Sequence, residues 1–249
     1  MYNGKIISFM GDSITSFKGV SSEGNACYYP TAFLTDPADT YWAKLVDHFG
    51  FTLGVNDGWS GSRIGWDGVQ EVGNMVGKDR NLACWSRISK LGKNGTPDYI
   101  VVYAGTNDIR REPLGEVGAV DWDTVLDKDG MTLERWQTLP INDFAHSTAA
   151  LYSGLRMAYP DAHILALLPM WVDVENTTGE EVEARVNRFD ALYIEVLKKF
   201  GIDYVDLREL CSFADRAVCT GDDPSLLHPS RQGMQMIFEL VAKYYAARE

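Results

Sequence analysis

Basic residues are scarce in this sequence: 23 Lys and Arg stand against 35 Asp and Glu, a formal charge of −12. A field of that sign repels phosphate backbones and anionic membranes, so neither nucleic acid nor a membrane surface is expected as a partner. Cysteine is scarce too. Cys27, Cys84, Cys211 and Cys219 form no CxxC pair and no metal-ligand spacing. In a chain of this length they read as free thiols, with a Cys211–Cys219 bridge as the alternative. Of the four histidines, His48 and His146 fall in helix-like segments and His163 opens a strand-like run. None belongs to a metal-spaced cluster, so no metal or other cofactor is expected. No apolar run approaches the ~18 residues of a membrane-spanning helix. The start, "MYNGKIISFMGDS", lacks the apolar core and small-residue cleavage site of a signal peptide. As it stands the chain reads as cytoplasmic, and as secreted or periplasmic if a leader was removed. Nothing in the sequence speaks to oligomeric state.

What is present is a regular alternation. Short runs rich in β-branched and aromatic residues, "KIISFM" (5–10), "FTLGV" (51–55), "YIVVYAG" (99–105), "AHILALLP" (162–169) and "IDYVDL" (202–207), read as strands buried on both faces. Between and after them lie amphipathic segments at 40–50, 141–160, 180–201 and 230–248. The third begins acidic and ends basic before Gly201, which complements a helix dipole. Strand–helix alternation predicts a five-stranded parallel sheet covered by helices on both faces, a three-layer α/β/α sandwich. At 249 residues the chain reads as a single domain, 1–249. The stretch from about 110 to 139 breaks the rhythm and reads as an insertion near the site, since long loops in compact domains are often functional.

Ligands of open α/β sheets bind outside the carboxyl ends of the strands. "GDSIT" (11–15) follows the first strand and puts Ser13 at a tight strand-to-helix turn; alone, Ser13 would pass for a helix cap. No GxxxxGK or GxGxxG appears there, which argues against phosphate or dinucleotide binding. "NDGWSGSRI" (56–64) follows the second strand, with Gly58 and Gly61 permitting a tight backbone. Position 62 is Ser62, so no GxSxG elbow is formed around Ser60. "GTNDI" (105–109) follows the third strand and offers Asn107, whose amide donates two hydrogen bonds or simply closes an Asx turn. "TGDDPSLLHPS" (220–230) carries His228.

Ser13, Gly61, Asn107 and His228, in that order at one sheet edge, resemble the SGNH hydrolases, the GDSL esterase/lipase family. The likeness spans "FMGDSIT" to "LLHPS". It implies a flavodoxin-like strand order and a serine esterase. Ser13 then matches the nucleophile and His228 the general base. The backbone N–H groups of Ser13 and Gly61, with the Asn107 side chain, match the oxyanion hole. The chemistry is coherent: a hydroxyl needs a base to become a nucleophile, and the tetrahedral intermediate needs donors aimed at its developing charge. Asp12 reads as a brace of the nucleophile turn.

The chain departs from that family at the acid. Members place an Asp three residues before the histidine, where this chain has Ser225. Asp223 is favoured, because Asp–Pro commonly starts a type I turn that would fold it back toward His228. Asp222, the Ser225 hydroxyl and a backbone carbonyl remain open.

For substrate, Trp59, Trp66, Trp122, Trp136 and Trp171 fall in loops or the insertion near the expected catalytic edge. Trp faces stack on sugar rings. The insertion carries charges (Arg110, Arg111, Glu112, Asp121, Asp123) rather than the Leu/Ile/Phe lid of a lipase. A short acyl group such as acetyl on a carbohydrate is therefore the expected substrate, with Trp59, Arg63 and Trp171 as binding residues. For Arg63 a surface salt bridge is the alternative. A lipase or thioesterase acting on longer chains, and a non-catalytic carbohydrate-binding relative, are the competing readings.

Overall fold

The computed structural model describes residues 2–65, 71–72, 75–76, 80–111, 113–126, 130–141, 143–174, 177, 179–221, 223 and 225–248. Five strands, β1 (Ile6–Gly11), β2 (Thr52–Gly58), β3 (Tyr99–Tyr103), β4 (His163–Leu168) and β5 (Asp203–Asp206), form one sheet in the order β2-β1-β3-β4-β5. All four pairings are parallel. This is the flavodoxin-like order expected, and its switch point lies beside β1.

Strand side chains alternate between the two faces. Phe9, Val101, Tyr103, Leu165, Leu167 and Val205 point to one face, packed by α1 (Tyr41–Phe49) and α6 (Arg231–Ala246). Met10, Ile100, Val102, Ile164, Ala166 and Leu168 point to the other, packed by α2 (Trp85–Lys90), α4 (Phe144–Ala158) and α5 (Glu180–Phe200). Because both faces are buried, the strands read as continuous apolar runs.

Local chemistry sets the helix ends. Thr40, Asp143 and Ser230 accept N–H bonds from Ala43, His146 and Gly233 as N-caps. Gly50 and Gly201 close α1 and α5 in the left-handed conformation, at φ 67° and 59°. Among the described residues no helix is long and apolar enough to cross a membrane, and no group of three or more His, Cys, Asp or Glu could hold a metal ion.

The described part of 110–139 is threaded with short helical turns at Val117–Ala119, Trp122–Val125 and Leu133–Trp136. Leu114, Val117, Val120, Val125, Trp136 and Leu139 join the core around α4 and α5. Trp136 donates its indole N–H to the Ala150 carbonyl at 2.8 Å, and Trp122 meets Phe200 edge-on at 6.2 Å. Phe200 ends α5 just before β5 begins, at the amino edge of the sheet. These two tryptophans, expected near the catalytic edge, are therefore packing residues of the helix layer. Apolar rings at helical turns found helix faces to cover. Trp66 and Glu112 lie outside the described residues.

Candidate active site

Ser13 sits at the carboxyl end of β1 and is 3 % exposed. Two glycines bring the backbone close enough to form its turn. A Cβ on Gly11 would stand 2.3 Å from Thr15 Oγ1, and one on Gly58 would stand 2.5 Å from the Ser16 nitrogen. Asp12 is buried; its Oδ1 accepts the Ile14 N–H at 2.9 Å and its carbonyl accepts from Thr15 and Ser16. Asp12 thus braces the turn, as its sequence position suggested.

His228 reaches this turn from the other end of the chain. Its Nε2 lies 3.0 Å from Ser13 Oγ. Asp223 comes back toward His228 in the same loop. The Leu226 N–H bonds the Asp223 carbonyl at 3.0 Å, closing a four-residue turn. Leu226 then takes φ 48°, which is unusual for a branched side chain and marks local strain. The reversal aims the Leu227 and His228 N–H groups back at Asp223 Oδ2, at 3.1 and 2.6 Å. The same oxygen lies 3.3 Å from His228 Nδ1. That contact is within ion-pair range, but Nδ1 makes no well-aligned hydrogen bond. Such contacts are often loose without substrate. Ser225, three residues before His228, donates its hydroxyl to both Asp223 oxygens at 2.9 and 2.8 Å. It braces the Asp223 carboxylate. Asp222 lies outside the described residues.

Across the turn, Asn107 is found in the first turn of α3 (Thr106–Arg111), not in a loop. Its Nδ2 donates to the Ser62 carbonyl at 2.9 Å. A primary amide has two N–H groups, so this bond fixes its plane and leaves one donor for a ligand. Gly61 has φ 76°, and a Cβ there would stand 3.3 Å from Arg80 Nη1. The Ser13 and Gly61 N–H groups make no backbone hydrogen bond among the described residues.

One residue ties these pieces together. Arg87 of α2, fully buried, bonds Asp57 Oδ2 at 2.6 Å, Ser62 Oγ at 2.7 Å, the Arg80 carbonyl at 2.7 Å and the Gly11 carbonyl at 3.1 Å. It also donates to the Asp57 carbonyl. The ends of β1 and β2 and the Gly61 loop thereby share one guanidinium.

A serine beside a histidine and its carboxylate, opposite unclaimed N–H donors, is equipped for acyl transfer. The profile of the GDSL-like Lipase/Acylhydrolase family matches residues 9–236. The chain belongs to this family. It is a hydrolase that acts on ester bonds. A protein described as a GDSL-like lipase from Bacteroides uniformis is 25% identical over 98% of this chain and 96% of that one, with a TM-score of 0.64. One of the same description from Bacteroides ovatus is 24% identical over 98% and 99%, with a TM-score of 0.66. A variant of an acetyl-xylooligosaccharide esterase from Geobacillus shares the fold at 16% identity over 97% and 94%, with a TM-score of 0.58. No curated protein matches the chain.

Electrostatics tune this GDSL-type site. Burial pushes His228 down to about 4, and Arg110 pushes the same way against the opposing pull of Asp223. Burial alone would raise the Asp223 carboxyl, but the N–H of His228, the Ser225 hydroxyl and further backbone donors outweigh it and hold it below its ordinary value. Asp12 is pushed up to about 7 and Asp108 up to about 6, in both cases chiefly by burial.

The structure brings Ser13, His228, Asp223, Gly61 and Asn107 together. It treats the three residues expected to bind substrate differently. Trp59 is half-buried, with its backbone N–H bonded to the Gly11 carbonyl at 3.0 Å. Trp171 is half-buried after β4; its indole donates to the Cys211 carbonyl at 3.1 Å, and Arg208 lies over its ring at 5.1 Å. Arg63 is only 5 % exposed, so the expected surface salt bridge is corrected to a buried position, from which its charge lowers the Asp108 carboxyl against the effect of burial. The reason is that Asp108 also accepts the Ile64 and Gly65 N–H groups and draws this loop inward. The Cys211 and Cys219 sulfurs are 3.6 Å apart, and both thiols are free. Arg87 and Tyr28, whose ring stacks on His228 at 3.5 Å, were not legible as site residues. A buried arginine 30 residues from its carboxylate leaves no spacing signal.

Proposed function

We propose that the protein cleaves a carboxylic ester through an acyl-enzyme on Ser13, and that its substrate is a short acyl group such as acetyl on a carbohydrate. The observation that carries the mechanism is the 3.0 Å contact between Ser13 Oγ and His228 Nε2, with Asp223 behind Nδ1. Ser13 Oγ attacks the ester carbonyl carbon while its proton passes to Nε2. The oxyanion is received by the N–H groups of Ser13 and Gly61 and by the second N–H of Asn107. Collapse expels the alcohol, which takes the proton from His228. Water then repeats the sequence and releases the acid. Asp223 orients the imidazole and stabilises the imidazolium. This arrangement favours an enzyme over a carbohydrate-binding relative that has lost its chemistry.

The substrate reading draws on Trp59 and Trp171, half-buried at the carboxyl edge where a sugar ring could stack, and on the acetyl-xylooligosaccharide activity of the Geobacillus relative. Arg63, held inside the loop, contributes through the shape of that loop. A panel of acetylated sugars, long-chain acyl esters and acyl thioesters tests the reading. Preference for the acetylated sugars, abolished in Ser13→Ala, is the expected result. Faster turnover of long acyl chains or thioesters would replace the substrate class, and no Ser13-dependent turnover of any ester would sink the mechanism.

A further inference from the structure

The tetrapeptide "CYYP" (27–30) touches His228 directly and Ser13 through Ser16. The Tyr28 ring lies face to face on the His228 imidazole, with centroids 3.5 Å apart and planes 6° from parallel. The Tyr28 N–H donates to Ser16 Oγ at 2.9 Å, and that hydroxyl donates to the Ser13 carbonyl at 2.9 Å. Tyr29 donates its hydroxyl to the carbonyl of Pro229, the residue after His228, at 2.6 Å. It also meets Tyr28 edge-on at 5.0 Å.

We propose that Tyr28 is a positioning residue of the reaction: its ring face holds the His228 imidazole in the plane that aims Nε2 at Ser13, and it stabilises the imidazolium once the Ser13 proton has arrived. This rests on the Ser13–His228 mechanism above. The argument begins with orientation. The torsion about a His ring bond is broad, so edge contacts must fix it. One edge has a good contact, to Ser13 Oγ, but the Asp223 contact at Nδ1 is off-line. A flat ring stacked in parallel at van der Waals distance removes the remaining freedom, because tilting the imidazole would drive it into Tyr28. The second part is charge. An aromatic face attracts a cation through its quadrupole, so the contact strengthens when neutral His228 becomes imidazolium. An interaction stronger after proton transfer than before it lowers the barrier. The groups facing His228 are Ser13, Asp223 from its own loop, Arg110 from α3 and Tyr28. Arg110 opposes the imidazolium, whereas Asp223 and Tyr28 favour it.

Tyr28→Leu keeps an apolar cover on the imidazole and removes the π face; Tyr28→Phe keeps both. With p-nitrophenyl acetate, Tyr28→Leu is expected to lower kcat by about 3- to 30-fold with little change in KM. The acid limb of its kcat/KM–pH profile should move to lower pH, because the imidazolium has lost a stabilising neighbour. Tyr28→Phe should stay within about twofold of wild type on both measures. A series of fluorinated phenylalanines at position 28 keeps the ring shape while weakening the quadrupole, and kcat should fall with each added fluorine. This series decides the matter if Tyr28→Leu folds poorly. A Leu variant with wild-type kcat and pH profile, or a flat fluorine series, overturns the proposal. A fluorophosphonate probe separates the two readings. Labelling of Ser13 with a flat series overturns the role of Tyr28 alone. Absence of Ser13 labelling removes the esterase mechanism, and the role of Tyr28 falls with it.

Discussion

On the oxyanion side of Ser13 the backbone is held by buried charge. Arg87 donates five hydrogen bonds to Asp57, Ser62, Arg80 and Gly11, and Asp108 gathers the N–H groups of Ile64 and Gly65. On the base side, Asp223 and residues 225–230 are held by a turn. One carboxylate gathers nearby N–H and O–H groups, Leu226 supplies the reversal, and Tyr28 and Tyr29 clamp the result. The first side is rooted in the core and reaches α2. The second is a short loop whose own turn bonds are local and whose outside support is the pair of tyrosine rings. The oxyanion side should therefore couple function to stability, and the base side should let function be lost while the fold survives.

The largest effect should come from the base side, at Asp223. Asp223→Ala removes the carboxylate behind Nδ1 and the acceptor that aims the His228 N–H. By comparison with loss of the acid from a Ser–His–Asp triad, kcat should fall by about 10²–10⁴-fold. The melting temperature should move by only a few degrees, since the lost bonds all lie within one loop, between Asp223 and residues 225, 227 and 228. Ser225→Ala, which removes only the brace, should cost far less. Ester hydrolysis and thermal unfolding measured on the same preparations check both. An Asp223→Ala enzyme as fast as wild type would reassign the acid.

Arg87→Met inverts that pattern. It takes the main partner from Asp57, whose side chain is inaccessible, and leaves it only the Asn25 amide at 2.9 Å and the partly exposed Lys90 at 3.2 Å. Breaking a buried pair from one side typically costs about 3–5 kcal/mol. A denaturant midpoint that falls sharply, with activity lost in parallel, is the expected outcome. Unchanged stability would mean that the buried charges do not hold this side together.

Asn107→Ala probes the same side without touching its charges. Losing one oxyanion donor typically costs about 10²–10³ in kcat. Because Asn107 also ties the Ser62 carbonyl, a small loss of stability should accompany it. A raised KM with unchanged kcat would show that the amide binds ground-state substrate instead.

The same contrast explains what could be read from the sequence. The strands at 6–11, 99–103 and 163–168 fall within a few residues of the predicted runs, because sheets buried on both faces leave unbroken apolar segments. Ser13, Gly61, Asn107 and His228 stand out in the sequence by residue type and order. The turn at Asp223 is announced by Asp–Pro in the sequence, but the left-handed Leu226 that completes the reversal carries no such signature. Helix α2 was missed: it is six residues long, and its N-cap Cys84 makes no side-chain capping bond. Arg87 was hidden with it, since a charge buried by distant partners looks like any surface arginine. Tyr28 lies in a segment without periodicity, and only the fold brings its ring to His228.

The finest test of the comparison lies where the two sides meet, at Arg110. This arginine follows Asn107 on α3 yet acts on His228, pushing it down in the same direction as burial. With His228 held near 4, below its ordinary 6.5, the imidazole stays neutral and basic as pH falls through that window. The acid limb of kcat/KM for the free enzyme is therefore expected well below 6.5. The unfolded chain takes up this proton first, so the group also makes the fold less stable as pH falls from 6.5 toward 4. Arg110→Met removes a like charge, so the limb should move to higher pH, by less than about one unit for a partly exposed cation. Raising the salt concentration in wild type should shift it the same way, but less. A limb that stays fixed in Arg110→Met would make burial alone responsible for the depressed histidine, and would leave the two sides of the site electrostatically independent.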